Sequence, residues 1–232
     1  MVFEAEVRES IQRTGDVISI RFTKPAGFDY RPGQFIFISV GSGDHEITKH
    51  LSISSSPTEG FLEVTKRLTG HPFSNALISL KEGDKLRFKG PFGKFTFQGE
   101  HEKIAMLSGG IGITPLRSVI KYVDDKMLDT DMILLYSNRH ENDIAFKKEF
   151  EELMAKNLKL RIINTVTMPG PSWSGITGRI NTDMIKKHIP DYSDRVFYIS
   201  GPTKMVDSML TLLTEISIPI NQIKKEIFTG YD

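Results

Sequence analysis

The hydrophobic pattern of the chain changes near residue 100, and this change constrains the fold more than any other feature. Residues 1–99 contain short runs in which apolar and polar residues alternate, separated by turns rich in glycine and proline. Such runs predict antiparallel strands in a barrel or a sandwich. From residue 102, apolar strands alternate with helical patterns, which predicts a parallel sheet covered on both faces. We therefore predict two domains, residues 1–100 and 101–232, with a boundary near Gly99–Glu102.

Individual elements follow from the same periodicities. The predicted strands of the first domain are Val17–Phe22, Gln34–Val40, Phe61–Lys66 and Lys85–Phe88, with a helix at Pro72–Leu80. Those of the second domain are Ile104–Ser108, Met132–Tyr136, Leu160–Val166, Val196–Ser200 and Lys225–Phe228.

Composition excludes several kinds of function. With 30 basic and 29 acidic residues the net charge is +1, unlike the basic excess of general nucleic-acid binders. The chain has no cysteine, which excludes disulfides, thiolate metal sites and an iron–sulfur cluster held by this sequence. Its six histidines show no close ligand spacing, and we find no signal-peptide or membrane-spanning pattern. We expect a soluble cytoplasmic protein without nucleic-acid, membrane or metal partners.

The strongest local motif is a glycine-rich turn between a predicted strand and a predicted helix. Glycines there let a pyrophosphate approach the backbone, and the helix N-terminus offers free N–H groups. Thr114 is the predicted N-cap, and Pro115 the first helical residue. The alternative is a tight turn whose glycines only permit positive φ. The candidate residues are Gly109, Gly110, Gly112, Ile113, Thr114 and Pro115.

Two weaker signals accompany this turn. Ser200-Gly201-Pro202 ends another strand of the parallel sheet, where two strand-end turns can face each other across a cleft. Lys49–Pro57, which follows Arg31–Phe35, places hydroxyl groups and a lysine where they could bind a polar heterocycle and a phosphate. Composition alone favours a solvated serine-rich turn for that second segment.

Taken in order, these segments resemble the ferredoxin–NADP reductase-like superfamily. The family joins an N-terminal FAD-binding antiparallel barrel to a C-terminal NAD(P)-binding α/β domain, and the resemblance covers nearly the whole chain. It implies FAD as cofactor and NADPH or NADH as substrate. Gly90-Pro91-Phe92-Gly93 matches the motif that closes the family's barrel.

The resemblance also implies roles for residues of the first domain. Lys49-His50-Leu51-Ser52 stands where the family usually has R-x-Y-S. It places Lys49 at the FAD phosphate, Leu51 on the isoalloxazine ring and Ser52 beside the reactive flavin nitrogen. Because Lys49 and Leu51 stand where the family has arginine and tyrosine, the bidentate guanidinium contact and the stacked aromatic ring are lost. The remaining candidates are Thr65, Lys66 and Arg67 along the ribityl–phosphate chain, and His71, Pro72, Phe73 and Ser74 at a second phosphate-binding turn.

In the second domain, Ser200 replaces the family's cysteine beside the nicotinamide, and Gly201, Pro202 and Met205 follow it. Glu226 resembles the catalytic glutamate that works with the flavin-side serine, so Ser52, Ser200 and Glu226 are the catalytic candidates. Either Phe228 or Tyr231 would cover the flavin ring. The alternative is that both residues only pack in the core or in the C-terminal tail.

Ser137, Asn138 and Arg139 end the second strand of the α/β domain, where the adenosine ribose is expected. No acid appears there before Glu141, so the segment favours the 2′-phosphate of NADPH over NADH. Arg139 could instead lie over the adenine.

The implied activity is hydride transfer between nicotinamide and FAD, with single electrons passing to or from a separate carrier such as a ferredoxin, a flavodoxin or an oxygenase component. One alternative is a reductase that uses free flavin as substrate, and another is a nucleotide-sensing module without turnover. Residues 1–99 carry 13 basic and 11 acidic residues, a balance too even to indicate a docking face for an acidic partner.

Overall fold

The first half of the chain forms an antiparallel barrel. The computed structural model describes residues 2–41, 43 and 46–229. Six strands have the order β4-β3-β6-β1-β2-β5. The barrel closes where Ile53 bridges to Val64 and the Ser54 amide donates to the Glu63 carbonyl at 2.8 Å. The elements are β1 (Val2–Thr14), β2 (Val17–Thr23), β3 (Phe35–Val40), β4 (Ile47–Ser52), β5 (Phe61–Arg67), α1 (Pro72–Ser79) and β6 (Lys85–Phe92).

The second half forms a parallel sheet of six strands in the order β10-β9-β8-β7-β11-β12, with helices on both faces. This arrangement confirms the predicted two-domain fold class, an antiparallel barrel followed by an α/β domain. The elements are β7 (Lys103–Gly109), α2 (Ile113–Asp125), β8 (Asp131–Asn138), α3 (Lys147–Lys156), β9 (Leu160–Val166), β10 (Ile176–Thr177), α4 (Thr182–His188), β11 (Val196–Pro202), α5 (Thr203–Glu215) and β12 (Ile223–Phe228).

All the strands predicted by periodicity are present, and the helix predicted at Pro72–Leu80 is α1. The sequence analysis did not predict β1 or β4. Three of the six residues of β4 are exposed, and in β1 only Ala5, Val7 and Thr14 are buried. β4 therefore lacks the regular alternation that identifies a half-buried strand. β1 does alternate at its start, where Glu4 and Glu6 are exposed and Ala5 and Val7 are buried, so this strand was recognisable from the sequence.

The predicted start of α2 is wrong. The helix begins at Ile113, directly after a turn of 3₁₀ helix at Gly110–Gly112, and Thr114 lies inside its first turn. The Thr114 hydroxyl donates to the Ile111 carbonyl at 3.2 Å instead of capping the helix. Gly110 has φ +52°, which lets the chain enter the helix without an extended capping residue. Pro115 is tolerated because the first N–H groups of a helix have no intrahelical acceptor.

The segment that leaves the barrel packs into the core of the second domain. Phe95 and Phe97 are buried there against Tyr198, with ring centroids 5.3 and 6.0 Å from it. The Tyr198 hydroxyl donates to the Thr96 carbonyl at 3.2 Å. None of the helices within the described residues is both long enough and apolar enough to cross a membrane.

Candidate cofactor-binding site

A groove of about 220 Å³ lies between the barrel and the start of α2. β4, β5 and α1 form one wall, while the glycine-rich turn and the end of β12 form the other. The groove is lined by Lys49, His50, Leu51, Ser52, Thr65, Lys66, Thr69, His71, Phe73, Ser74, Ile111, Thr114, Phe228 and Thr229. It therefore brings together most of the residues that the sequence assigns to the flavin.

Two lysines give the groove its charge. Burial, together with the nearby positive charge of Lys49, lowers the pKa of Lys66 to about 8. A bound anion would relieve this repulsion. The first residues of α1 add to the attraction, because His71, Phe73 and Ser74 line the groove where a helix offers free N–H groups and its positive dipole end.

The serine run after β4 is not the solvated turn that composition favours. Ser54, Ser55 and Ser56 are fully buried. The Ser54 hydroxyl lies 2.8 Å from that of Thr65, and the Ser55 hydroxyl lies 2.9 Å from that of Tyr30. These serines are buried because they close the barrel against β5, while Ser52 lines the groove.

A second cleft, of about 720 Å³, opens at the carboxyl ends of the parallel strands. Its lining includes Gly109, Gly110 and Ile111 from the glycine-rich turn, Pro202 and Met205 from the start of α5, and Ser137, Asn138 and Arg139 from the end of β8. Arg67 lies here and not in the groove, since successive side chains of a strand point to opposite faces. Its guanidinium would lie 3.4 Å from a Cβ placed on Gly110.

The two glycine turns are in contact, because β7 and β11 are neighbouring strands. A Cβ on Gly112 would lie 2.2 Å from the carbonyl oxygen of Ser200. A Cβ on Gly109 would lie 2.4 Å from the sulfur of Met205, and one on Gly201 would lie 2.2 Å from its methyl carbon. Close packing against backbone therefore requires glycine at Gly112, whereas the Met205 side chain could move away from Gly109; Gly201 has φ +153°, a conformation that favours glycine.

Ser200 is fully buried, and its hydroxyl donates to the Gly112 carbonyl at 2.7 Å. It therefore joins the two turns. Glu226 pairs with Ser200 in the register of β11 and β12. Burial alone raises the pKa of Glu226 to about 7. Phe228 reaches the groove, whereas Tyr231 lies outside the described residues.

Family models match both halves of the chain. Residues 4–97 match an oxidoreductase FAD-binding domain, and residues 106–210 match an oxidoreductase NAD-binding domain. The chain belongs to the ferredoxin–NADP reductase-like superfamily.

Several named proteins show the range of this superfamily. The chain is 32% identical to the glycine betaine monooxygenase reductase subunit of Pseudomonas aeruginosa, over 94% of its own length and 62% of that protein. It is 32% identical to NADH-cytochrome b5 reductase 2 of Mycosarcoma maydis, over 72% of the chain and 49% of the relative. A ferredoxin NADP+ reductase from Neisseria gonorrhoeae, solved with bound FAD and NADP, has the same fold with a TM-score of 0.85 at 19% identity, covering 97% of this chain and 98% of that one. The chain thus spans less than two thirds of the length of the glycine betaine monooxygenase reductase subunit and of the cytochrome b5 reductase.

The residues that line the groove fit FAD, and those that line the second cleft fit a nicotinamide dinucleotide. The repelling lysine pair and the start of α1 suit the diphosphate of FAD. The glycine-rich turn lines the cleft directly before a helix, where backbone N–H groups generally lack intrahelical acceptors and suit a dinucleotide phosphate. Both polar atoms of the Asn138 amide are buried without a hydrogen-bond partner among the described residues, which suits a polar ligand in the second cleft. Those residues contain no group of three or more His, Asp or Glu side chains that could hold a metal ion.

Some predicted positions line neither cavity. Pro72 is the first residue of α1, and Ile113 and Pro115 are buried in the first turn of α2. Ile111 was missed, although it lies within the recognised turn and lines both cavities. Arg179 was also missed, because no local motif marks it.

A buried arginine joins the two domains. Arg117 of α2 is 2% exposed and donates to the Ser54 carbonyl at 3.0 Å, to Glu59 at 3.0 Å and to Glu149 at 2.8 Å. The neighbouring Ser118 hydroxyl donates to the Ser55 carbonyl at 2.6 Å. Burial opposes the charge of Arg117, but the three carboxylates of Glu59, Glu149 and Glu63 raise its pKa above the ordinary value. The helix that begins at the nucleotide turn is thereby fixed to the backbone that follows Ser52.

Proposed function

We propose that the protein is an FAD-dependent NAD(P)H reductase that passes single electrons to a separate carrier. The observation that carries this proposal is the shared wall of the two cavities, since Ile111 lines both the flavin groove and the nucleotide cleft. A nicotinamide ring entering from the cleft would then meet the flavin ring at the turn. The division into residues 1–100 for FAD and 101–232 for NAD(P) is part of the same proposal.

Bound FAD would supply the two-electron to one-electron conversion. The chain would hold it through Lys49, Lys66 and the start of α1, and would position it against the nicotinamide. Ser52 would donate a hydrogen bond at the reacting end of the groove. Ser200 would act indirectly, by holding the two glycine turns together. Phe228 would cover the ring from the other domain.

We further propose NADPH as the preferred nicotinamide. Arg139 and Arg179 both line the outer part of the cleft, and neither forms an ion pair within the described residues. Asp143, an acid in the same region, accepts a hydrogen bond from the His140 amide at 3.0 Å, and Asp16 pairs with Arg67 at 3.1 Å. Asp143 keeps its negative charge, but Arg139 and Arg179 together outweigh it, so the net charge of these side chains is positive, which favours a 2′-phosphate.

The nature of the acceptor is supported by the names of relatives. These include a monooxygenase reductase subunit and a cytochrome b5 reductase, both of which name a protein partner. We propose a carrier of the same general kind, a ferredoxin, a flavodoxin or an oxygenase component.

Anaerobic reduction of the purified protein tests the proposal. We expect one FAD per chain that remains bound through gel filtration, and flavin absorbance that bleaches on adding NADPH, and more slowly with NADH. Recovery of protein that binds flavin only as a dissociable substrate would support a free-flavin reductase instead. Bound FAD that neither nucleotide bleaches would contradict reductase activity and favour a sensing module.

A further inference from the structure

A cluster of aromatic rings lies on the outside of the barrel, away from its core. Phe35 and Phe37 of β3 contact each other, with ring centroids 5.8 Å apart. His50 of β4 lies 5.7 Å from Phe35 and 6.0 Å from Phe37, and Phe92 of β6 lies 5.8 and 5.5 Å from the same two rings. We call Phe35, Phe37, His50 and Phe92 the aromatic face.

The aromatic face occupies strand positions where polar residues are expected. Ile36 and Ile38 alternate with Phe37 and are completely buried in the barrel, so Phe37 points outward. Its side chain is 38% exposed. A single exposed ring needs no explanation, but a contiguous group on one face is typical of an interaction surface.

Lysines without acidic partners border the aromatic face. Lys89 stands directly opposite Phe37 in the β3–β6 register, and Lys94 follows Gly93, whose Cβ position lies 3.1 Å from the ring of Phe35. Both lysines are exposed, and neither forms an ion pair within the described residues. The border of the face is therefore positive.

Other cations of the same strand have an acidic residue beside them. Arg87 pairs with Glu46 at 2.5 Å. Lys85 forms no ion pair within the described residues but stands opposite Glu6 in the β1–β6 register, whereas Lys89 stands opposite Val2. The near-equal numbers of basic and acidic residues in the first domain therefore conceal an uneven distribution, with the uncompensated charge beside the aromatic rings. The count of charges alone is too balanced to indicate a docking face for an acidic partner, whereas this distribution favours one.

The aromatic face is continuous with the flavin groove. His50 belongs to both, since it contacts Phe35 and Phe37 and also lines the groove. Phe35 stands opposite Ser52 in the β3–β4 register. Only the side chains of Phe35, His50 and Ser52 would therefore lie between the groove and a protein bound to this face.

We propose that the aromatic face and its bordering lysines dock an acidic one-electron carrier protein. An apolar centre with a positive border suits a small, transient electron-transfer complex, in which charge guides the encounter. The inference rests on the proposed function. One turnover requires two successive docking events, because one NAD(P)H reduces two carriers by one electron each and releases one proton.

The test compares two lysines on the same strand, using an acidic [2Fe–2S] ferredoxin as the probe and menadione as a small neutral acceptor that needs no docking face. We expect Lys89→Glu to lower kcat/KM for the ferredoxin about 10-fold or more at low salt. Phe37→Ala should lower it by about 5-fold or more at any salt. Lys85→Glu is the matched control and should stay within about 2-fold of wild type. Menadione reduction should be unchanged in all three.

Several results would overturn the proposal. One is an equal loss in Lys85→Glu and Lys89→Glu, and another is no loss in either Lys89→Glu or Phe37→Ala. Menadione reduction without any ferredoxin reduction by the wild type would also contradict it. A concentration-dependent dimer that Phe37→Ala abolishes would assign the face to a second copy of the chain. Failure of NAD(P)H to bleach bound FAD would contradict the proposed function itself, which keeps the two failures distinct.

Discussion

Replacing Arg117 with methionine tests whether the buried arginine holds the two domains together. Methionine keeps much of the side-chain volume but removes every hydrogen bond to Ser54, Glu59 and Glu149. Removing one partner of a buried ion pair typically costs about 3–5 kcal/mol, because the remaining charge is left without compensation. The side chains of Glu59 and Glu149 are 12% and 23% exposed, so water can reach them in part. We therefore expect the free energy of unfolding to fall by about 3 kcal/mol, the lower end of that range.

Urea unfolding of the FAD-saturated protein with two probes provides the assay. Trp173, the single tryptophan, reports the α/β domain, while recovery of flavin fluorescence reports release from the barrel. The two transitions should coincide in the wild type and separate in Arg117→Met. Arg161→Met, at an exposed position of β9, is the control and should change stability by less than about 0.5 kcal/mol.

A double-mutant cycle with Glu59→Gln identifies the contact responsible. The double variant should lose clearly less stability than the sum of the two single variants, because Arg117 and Glu59 contact each other. A loss below about 1 kcal/mol in Arg117→Met, with coincident transitions, would refute the reasoning, since it would mean that the pair contributes no more than a surface ion pair.

Three further predictions concern the two cavities. Ser52→Ala should retain FAD but slow anaerobic flavin reduction by about 10-fold or more, the usual cost of one positioned hydrogen bond in a transition state; an unchanged rate would remove Ser52 from the catalytic residues. Arg139→Ala and Arg179→Ala should each weaken kcat/KM for NADPH by about 1.5–3 kcal/mol and leave NADH nearly unchanged. Equal losses for both nucleotides would show that the arginines do not discriminate. Because the pKa of Glu226 is raised from 4.5 to about 7, the folded protein holds a proton that the unfolded chain releases, so stability falls as pH rises from 4.5 to 7. Glu226→Gln should remove this fall and stabilise the protein above pH 7 by about 1–2 kcal/mol, after allowance for the partly exposed side chain; unfolding curves between pH 5 and 8 will measure it.

Local patterns were sufficient for most of the fold and for much of the candidate site. The central apolar strands of the parallel sheet, such as Met132–Tyr136, are buried on both faces, and their continuous apolar runs identify them directly. The glycine turn at Gly109–Gly112 is recognisable because it lies between an apolar strand and a helix, where glycines permit a tight turn and close approach of other groups. β4 was missed because three consecutive exposed residues obscure the two-residue period, whereas β1 was missed although its first residues alternate.

Errors arose where side chains respond to distant neighbours. Thr114 has the type of an N-cap, but the 3₁₀ turn before it moves the helix start to Ile113. The serines after Ser52 have the composition of a solvated turn, yet closure of the barrel buries them. Arg67 lies in the nucleotide cleft, because the strand ends where the two domains meet. None of these outcomes depends on the residue type alone.

The sequence by itself determined the two kinds of sheet, their order and the positions of both cofactor motifs, because periodicity and turn chemistry act over a few residues. Tertiary structure alone decided which groups from separate segments meet. It joined Arg117 to Glu59, placed Arg179 beside Arg139, and gathered the uncompensated Lys89 and the ring of Phe37 on one face. Electrostatic and packing energies depend on distance in space, and residues far apart in the chain acquire a common environment only when the barrel closes and the domains pack together.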